Sequence, residues 1–341
     1  MIHRRHVLGA GAAAAIIPAR ARADTAVRFG SVGGLTDAGL YLAEDQGFFA
    51  KAGLSVKMLR MPSAPALLTA LATGQLDVAG ISVTPGLFSA ITQGVQIRIV
   101  GDKQSVRPGF SATRLVVRTG FPAGIEAQQV AALKGKPVAI SSKAASVAMV
   151  LRNYLAGFGM NLADVHVVEL PYPSMVPALG SGAVEAAIVL EPFLSQAIQM
   201  GIAQPLNDLA AASGGTATEG STSVPLVYSE VFARDRSTAQ GFMDAYLQGV
   251  RLYNDAFLRG IDKDKIIGIL ASRAKLDEAI IRNGFPAGLD PNGRVSMPFL
   301  EQCQDFFIQQ HYLQAPIDLK QLVDPSFAAA SVTRLGEYQL G

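Results

Sequence analysis

Apolar and polar positions along the chain fall into two long passages of the same grammar. "AVRFGSVGGLTDAGLYLAEDQGFFAKAGLSVKML" (26–59) reads as strand, Gly-rich loop, helix, Gly stop and strand, and "PVAISSKAASVAMVLRNYLAGFGMNLADVHVVEL" (137–170) reads the same way. Val27 and Val138 are offset by 111 residues, as are Val56 and Val167. Each passage is followed by a second phrase that also repeats. "ALATGQLDVAG" (70–80) returns as "ALGSGAVEAAI" (178–188), an offset of 108 (178 minus 70). In the first copy Ser63 can cap a helix whose apolar stripe is Leu67, Leu68 and Leu71, Gly74 ends it, and a short buried strand stops before Thr84-Pro85. In the second, Ser174 can cap, Val176 and Leu179 carry the stripe, Gly182 stops it, and the strand ends at Glu191-Pro192.

Each unit is thus β-α-β-α-β, with crossovers long enough for parallel strands. A period near 110 residues exceeds that of a solenoid repeat, as it is far longer than the roughly 20–50 residues of such units. The fold class is α/β, with two lobes that are each a mostly parallel sheet flanked by helices. Two chain crossings should join them, one near "RLVVRTGFPAG" (114–124) and one near "AASGGTATEGSTSV" (211–224). This gives a first lobe over 24–118, a second over 119–222, and a return to the first over 223–341. The return includes a helical tail, from "TAQGFMDAYLQGVRLYNDAFLRG" onward, expected to pack on the first lobe.

The N-terminus has a different character. Arg4 and Arg5 precede an apolar run from Val7 to Ile17, and small-x-small sites end at Ala21 and Ala23. This is a secretory signal over 1–23, with the Arg4-Arg5 pair ahead of Val7-Leu8 resembling the twin-arginine type. No cysteine follows the small residues, so no lipid anchor is expected and the mature protein belongs in the periplasm. Removing the segment takes away four arginines and no acid, leaving 25 basic against 27 acidic residues. Nucleic-acid binding loses its electrostatic support, and no apolar run of membrane-spanning length follows. Cys303, the single cysteine, excludes an internal disulfide and shares an apolar helical face with Phe299, Leu300, Phe306 and Phe307.

The phrases "GFFAKAGLSV", "ALATGQLDVAGIS", "ALKGKPVAIS", "ALGSGAVEAAIVLEPF" and "IDLKQLVDPSF", in that order, resemble the solute-binding proteins of ABC importers for nitrate, sulfonates, taurine and thiamine-precursor pyrimidines. The resemblance implies a Venus-flytrap fold acting as a monomer, and a small-molecule ligand handed to an inner-membrane permease with its ATPase. It implies no cofactor and no membrane insertion. The chain departs from the pattern at Lys143-Ala144-Ala145-Ser146 and at Leu190, and it has no Trp.

Ligands of open α/β sheets lie beyond the carboxyl ends of the strands. For facing lobes these ends are "SVGGLTD", "MPSAP" and "SVTP" in the first and "SSKAAS", "PYPSM" and "EPF" in the second. Candidate contacts are therefore Thr36, Asp37, Ser63, Ser82, Val83 and Thr84 from one side. Ser141, Ser142, Lys143, Ser146, Tyr172 and Glu191 come from the other. Turns leading into helices should offer free N–H groups to an anionic or strongly polar head group. Glu191 can accept from a ligand donor or pair with an arginine across the cleft, and Tyr172 can stack on a ring or close the cleft. The carboxylate favours a small organic solute over an inorganic anion. Ser63 and Ser174 also read as simple caps, Lys143 as a solvated lysine, and Asp77 and Glu185 as structural residues at strand starts.

Metal and catalytic signatures are weak. His166 and His311 are isolated, and no HExxH, Cys/His spacing or G-x-S-x-G elbow is present. "GSVGGLTDAG" lacks dinucleotide spacing. The reading is a binding protein and not an enzyme; the alternative is an exported enzyme or ligand sensor on the same clamshell.

Overall fold

The computed structural model describes residues 24–340; the signal sequence inferred above lies outside the described residues. Ten strands form two five-stranded mixed sheets. The first contains β1 (Thr25–Ser31), β2 (Leu54–Arg60), β3 (Val78–Gly80), β4 (Ile97–Val106) and β10 (Ser221–Ser229) in the order β2-β1-β3-β10-β4. The second contains β5 (Thr113–Arg118), β6 (Pro137–Ile140), β7 (His166–Glu169), β8 (Ala186–Leu190) and β9 (Ala203–Asn207) in the order β7-β6-β8-β5-β9.

The repeat is visible residue by residue. Val27 pairs with Val56 in the parallel β1–β2 ladder, and Val138 pairs with Val167 in β6–β7. Gly74 and Gly182 close the equivalent helices Ala64–Ala72 and Tyr172–Ser181 with φ of 68° and 73°. That left-handed conformation costs glycine nothing and other residues about 1–2 kcal/mol. The two repeat acids clamp neighbouring strands. Asp77 holds the Arg28 guanidinium at 2.6 and 2.9 Å and also the Arg28 backbone N–H. Glu185 holds Arg118 at 2.8 Å.

Two expected boundaries are corrected. Thr113–Arg118 is not the end of the first lobe but an inner strand of the second sheet, antiparallel to β8 and β9. The first crossing therefore falls at 107–112, where Arg107 and Phe110 exchange backbone hydrogen bonds in a tight turn. The apolar run "RLVVR" read as a terminal element because a crossing strand has the same pattern in either sheet. Ser174 is not a cap, since its helix begins two residues earlier at Tyr172 with Pro171 before it.

The tail also departs from expectation. Helix Arg236–Arg259 does pack on the first lobe, with Phe242, Tyr246 and Val250 joining Phe29 and Leu40 in one buried cluster. Helix Met297–Gln309, however, touches both lobes. Phe307 meets Phe88 of the first at 5.8 Å between ring centroids. Phe306 lies under the Arg152 guanidinium of the second at 4.8 Å, and Arg152 donates to Gln309 Oε1 at 2.9 Å. Cys303 is fully buried on the same helix, and burial pushes its thiol pKa well up.

Strand β4 runs on the outer edge of the first sheet yet is buried almost throughout. The tail covers that edge: Asp324 N–H bonds to Ile99 O, Asp102 N–H to Gly293 O and Ser105 N–H to Gly288 O. Covering an edge satisfies its ladder groups and blocks pairing with other chains. Asp102 itself is fully buried; its Oδ2 accepts the Asp290 N–H at 2.9 Å and Oδ1 meets no aligned donor. Burial pushes its carboxyl pKa up to about 8, against an ordinary 3.8, with Asp290 adding to the rise.

The folded protein therefore binds a proton at Asp102 that the unfolded chain has lost between pH 4 and 8, so stability falls as pH rises through that window. Asp102→Asn, which mimics the protonated acid, should flatten this decline by up to about 1.4 kcal/mol per pH unit. Urea unfolding midpoints at pH 5 and 7.5 measure it; equal slopes in both proteins would show that Asp102 is ionised in the fold.

Candidate functional site

A cavity of about 150 Å³ lies between the two sheets, in the position expected beyond the strand ends. The first lobe contributes Val32, Thr36, Leu67, Gly80, Ser82, Lys103 and Ser223, and the second contributes Ser141, Ser146, Val150, Tyr172, Ile188, Leu190 and Leu209. Phe299 of the bridging tail helix completes the wall. The lobes meet across this space through a backbone hydrogen bond from Ser146 N–H to Val83 O at 3.3 Å. The size suits a body of about benzene dimensions.

Five of the twelve anticipated residues line the cavity: Thr36, Ser82, Ser141, Ser146 and Tyr172. The Tyr172 hydroxyl lies beside Ser141; burial raises its phenol pKa and the Ser141 contact works against that rise. The other seven are placed elsewhere. Ser63 is an exposed cap that accepts from Ala66 N–H at 3.4 Å. Thr84 Oγ1 accepts from Leu87 N–H at 3.4 Å. Val83 is buried in apolar core. Ser142 Oγ accepts from Ala144 N–H, and Lys143 is exposed with its backbone N–H bound to Glu169 Oε1 at 2.6 Å. Asp37 sits behind the lining, and Glu191 faces away from the cavity.

Glu191 is the clearest correction. It is buried, and its carboxylate accepts from the Ser195 N–H and hydroxyl at 3.0 and 2.7 Å and from Phe285 N–H at 2.9 Å. Burial raises its pKa, and these donors with nearby Arg114 work against the rise. It ties the end of β8 to the tail, so the preference for an organic solute cannot rest on it. Some of the donors expected at helix N-termini are not free. Pro65, Pro85 and Pro173 occupy first or second helical positions and have no N–H to offer. Ser146 N–H is spent on Val83, and Gly33 N–H on Ser31 Oγ at 2.8 Å.

Lys103 is the charged side chain of the cavity lining that the sequence reading missed. Its Nζ lies 2.7 Å from Asp37 Oδ1, an ion pair that is not an aligned hydrogen bond, and donates to Thr36 Oγ1 at 2.9 Å. Asp37 Oδ2 accepts from Ser31 Oγ at 2.5 Å. A buried lysine requires such pairing. It also requires room: a Cβ on Gly80 would stand 2.1 Å from the Lys103 Cδ. A signal was available in "IRIVGDKQSV", where a polar run interrupts an otherwise apolar strand.

Two lobes with a cavity between them define the two-lobe periplasmic-binding fold. The structure of the periplasmic aliphatic sulphonate binding protein SsuA from Escherichia coli superposes with a TM-score of 0.69 at 22% identity, covering 88% of this chain and 92% of that one. The nitrate-binding protein NrtA from Synechocystis PCC 6803 does so at 0.69 and 19%, covering 92% and 89%. The desulfurization enzyme DSZB shares the fold at a TM-score of 0.62 and 18% identity, covering 91% of this chain and 99% of that one. In sequence, a protein of Bacillus subtilis (strain 168) named for aliphatic-sulfonate binding is 25% identical over 298 residues, covering 84% of this chain and 83% of its own. The NMT1-like family model matches residues 20–256, and the chain belongs to that family.

Placing Glu191 at a structural junction yields a measurable outcome. Glu191→Ala leaves the Phe285 and Ser195 donors without their acceptor and should lower unfolding stability by roughly 1–3 kcal/mol. Ligand stoichiometry, measured by native mass spectrometry on the folded variant, should be unchanged. A loss of binding without a loss of stability would return Glu191 to the ligand site.

Proposed function

We propose that the protein is the periplasmic solute-binding component of an ABC importer, which captures a small organic solute between its lobes and delivers it to an inner-membrane permease. The carrying observation is the interlobe cavity, whose walls come from both sheets and combine apolar side chains with hydroxyls and Lys103. A simple inorganic anion gains nothing from Leu67, Val150, Ile188, Leu190 and Phe299, whereas the body of an organic solute buries surface against them, worth about 25 cal/mol per Å². The family and the binding proteins sharing the fold support this reading.

DSZB raises the second reading, an exported enzyme on the same clamshell. The lining favours capture over turnover: its serines and Tyr172 have no carboxylate or imidazole beside them in the wall, and Lys103 is held by Asp37 and Thr36. Activating a hydroxyl nucleophile calls for an adjacent base.

Ligand contacts from both lobes favour the closed arrangement, because a ligand shifts a two-state equilibrium only by its differential affinity. Small-angle scattering of ligand-stripped protein should show a larger radius of gyration than protein saturated with the solute recovered from it by native mass spectrometry. Equal radii, or turnover of that solute, would overturn the importer reading. Export should follow the twin-arginine route, so replacing Arg4 and Arg5 together by lysine should leave precursor in the cytoplasm. Normal periplasmic yield of that variant would assign the signal to the general secretory route instead.

A further inference from the structure

We infer that the cavity selects a ligand whose buried end is an uncharged hydrogen-bond acceptor, and that Asp37 is the residue that excludes anions. This rests on the interlobe cavity being the solute site. Among the described residues, Lys103 is the one charged side chain in the cavity lining. Its ammonium has three N–H groups: one is given to Thr36, one lies toward Asp37, and one remains for the space that Lys103 lines. Asp37 is itself buried, held from behind by Ser31, and stands outside the lining. A ligand therefore meets a donor whose charge is already cancelled at 2.7 Å.

An anion entering this space would put a second negative charge beside a neutral pair. It would also lose its water against walls of Leu67, Val150, Ile188 and Phe299. Desolvating an ion costs several kcal/mol unless a partner compensates, and among the described residues the one charged side chain of the lining is already paired with Asp37. Several backbone donors of the surrounding turns are spent, on Ser63, Thr84, Val83, Ser31 and Ser142, and Pro85 has none to give. A carbonyl, amide or similar neutral acceptor needs only the one free N–H of Lys103 and a hydroxyl, which Ser82, Ser141 or Tyr172 supplies. The geometry makes Lys103 a donor for specificity and Asp37 a filter for charge.

The test uses shape-matched probe pairs, benzamide with benzoate and isobutyramide with isobutyrate, titrated against ligand-stripped wild type and Asp37→Asn. In wild type neither carboxylate should bind better than its amide. In Asp37→Asn the uncancelled ammonium should shift the carboxylate-to-amide affinity ratio toward the carboxylate by about tenfold or more. A wild-type preference for the carboxylates, or a folded Asp37→Asn that gains no carboxylate response, would overturn the inference. Because Asp37→Asn strands a buried lysine, Asp37→Ser, which keeps a hydroxyl acceptor, is measured beside it under the same criteria. Val150→Trp fills the cavity. Responses that survive that substitution would locate probe binding elsewhere and overturn the solute-site reading itself, leaving a result distinct from a failure of the charge rule.

Discussion

Strand β4 must carry Asp102, Lys103, Gln104 and Ser105 through the interior, and much of the molecule is arranged to make that tolerable. Alternation sends consecutive side chains to opposite faces. Lys103 turns toward the interlobe cavity and is met by Thr36 and Asp37, while Asp102 turns toward the tail and is met by the Asp290 N–H. Unpartnered buried polar groups cost about 1–3 kcal/mol each, so the tail and the turn at 35–37 are fixed by the needs of one strand. The cavity lining draws Lys103 and Gln104 from that strand, and the first crossing follows directly from its end.

The duplication supplied the scaffold, and departures from it supplied the site. At matching points of the repeat, Gly80 and Ile188 both line the cavity. Glycine in the first lobe leaves space for the Lys103 stem; isoleucine in the second presents apolar surface. The acids Asp77 and Glu185 fall at matching points of the repeat, at strand ends remote from the cavity, although their arginines come from different strands, β1 and β5. Similarity in the repeat marks architecture here, and difference marks recognition.

That division also explains what was legible in the sequence. Helix stops at Gly74 and Gly182, the parallel pairing of Val27 with Val56 and Val138 with Val167, and the cavity's location follow from local pattern and from the geometry of parallel sheets. Ser82 and Ser141 could be named because they follow strand ends, and Ser146 and Tyr172 because they open the helices that come next. Lys103 could not be found that way, since it reaches the cavity from the middle of a strand that arrives by a long-range pairing with β10. Glu191 misled because chain position puts it at a strand end, whereas its direction is set by Ser195 and Phe285, a contact spanning 94 residues. Thr113–Arg118 misled because periodicity identifies a strand but not the sheet it joins.

The tail helix Met297–Gln309 lies across the seam between the lobes as a strut, and its two flanks are chemically unlike. One flank is aromatic, Phe307 against Phe88; the other is cationic and polar, with Arg152 over Phe306 and bonded to Gln309. For the lobes to part, the strut must come away from one of them. Apolar contact weakens on cooling, whereas an exposed polar contact can be exchanged for water with little net change. The jaw thus has two candidate lines of cleavage with different thermal signatures, and the lobe that keeps the strut also keeps Phe299 as a fixed back wall for an arriving solute.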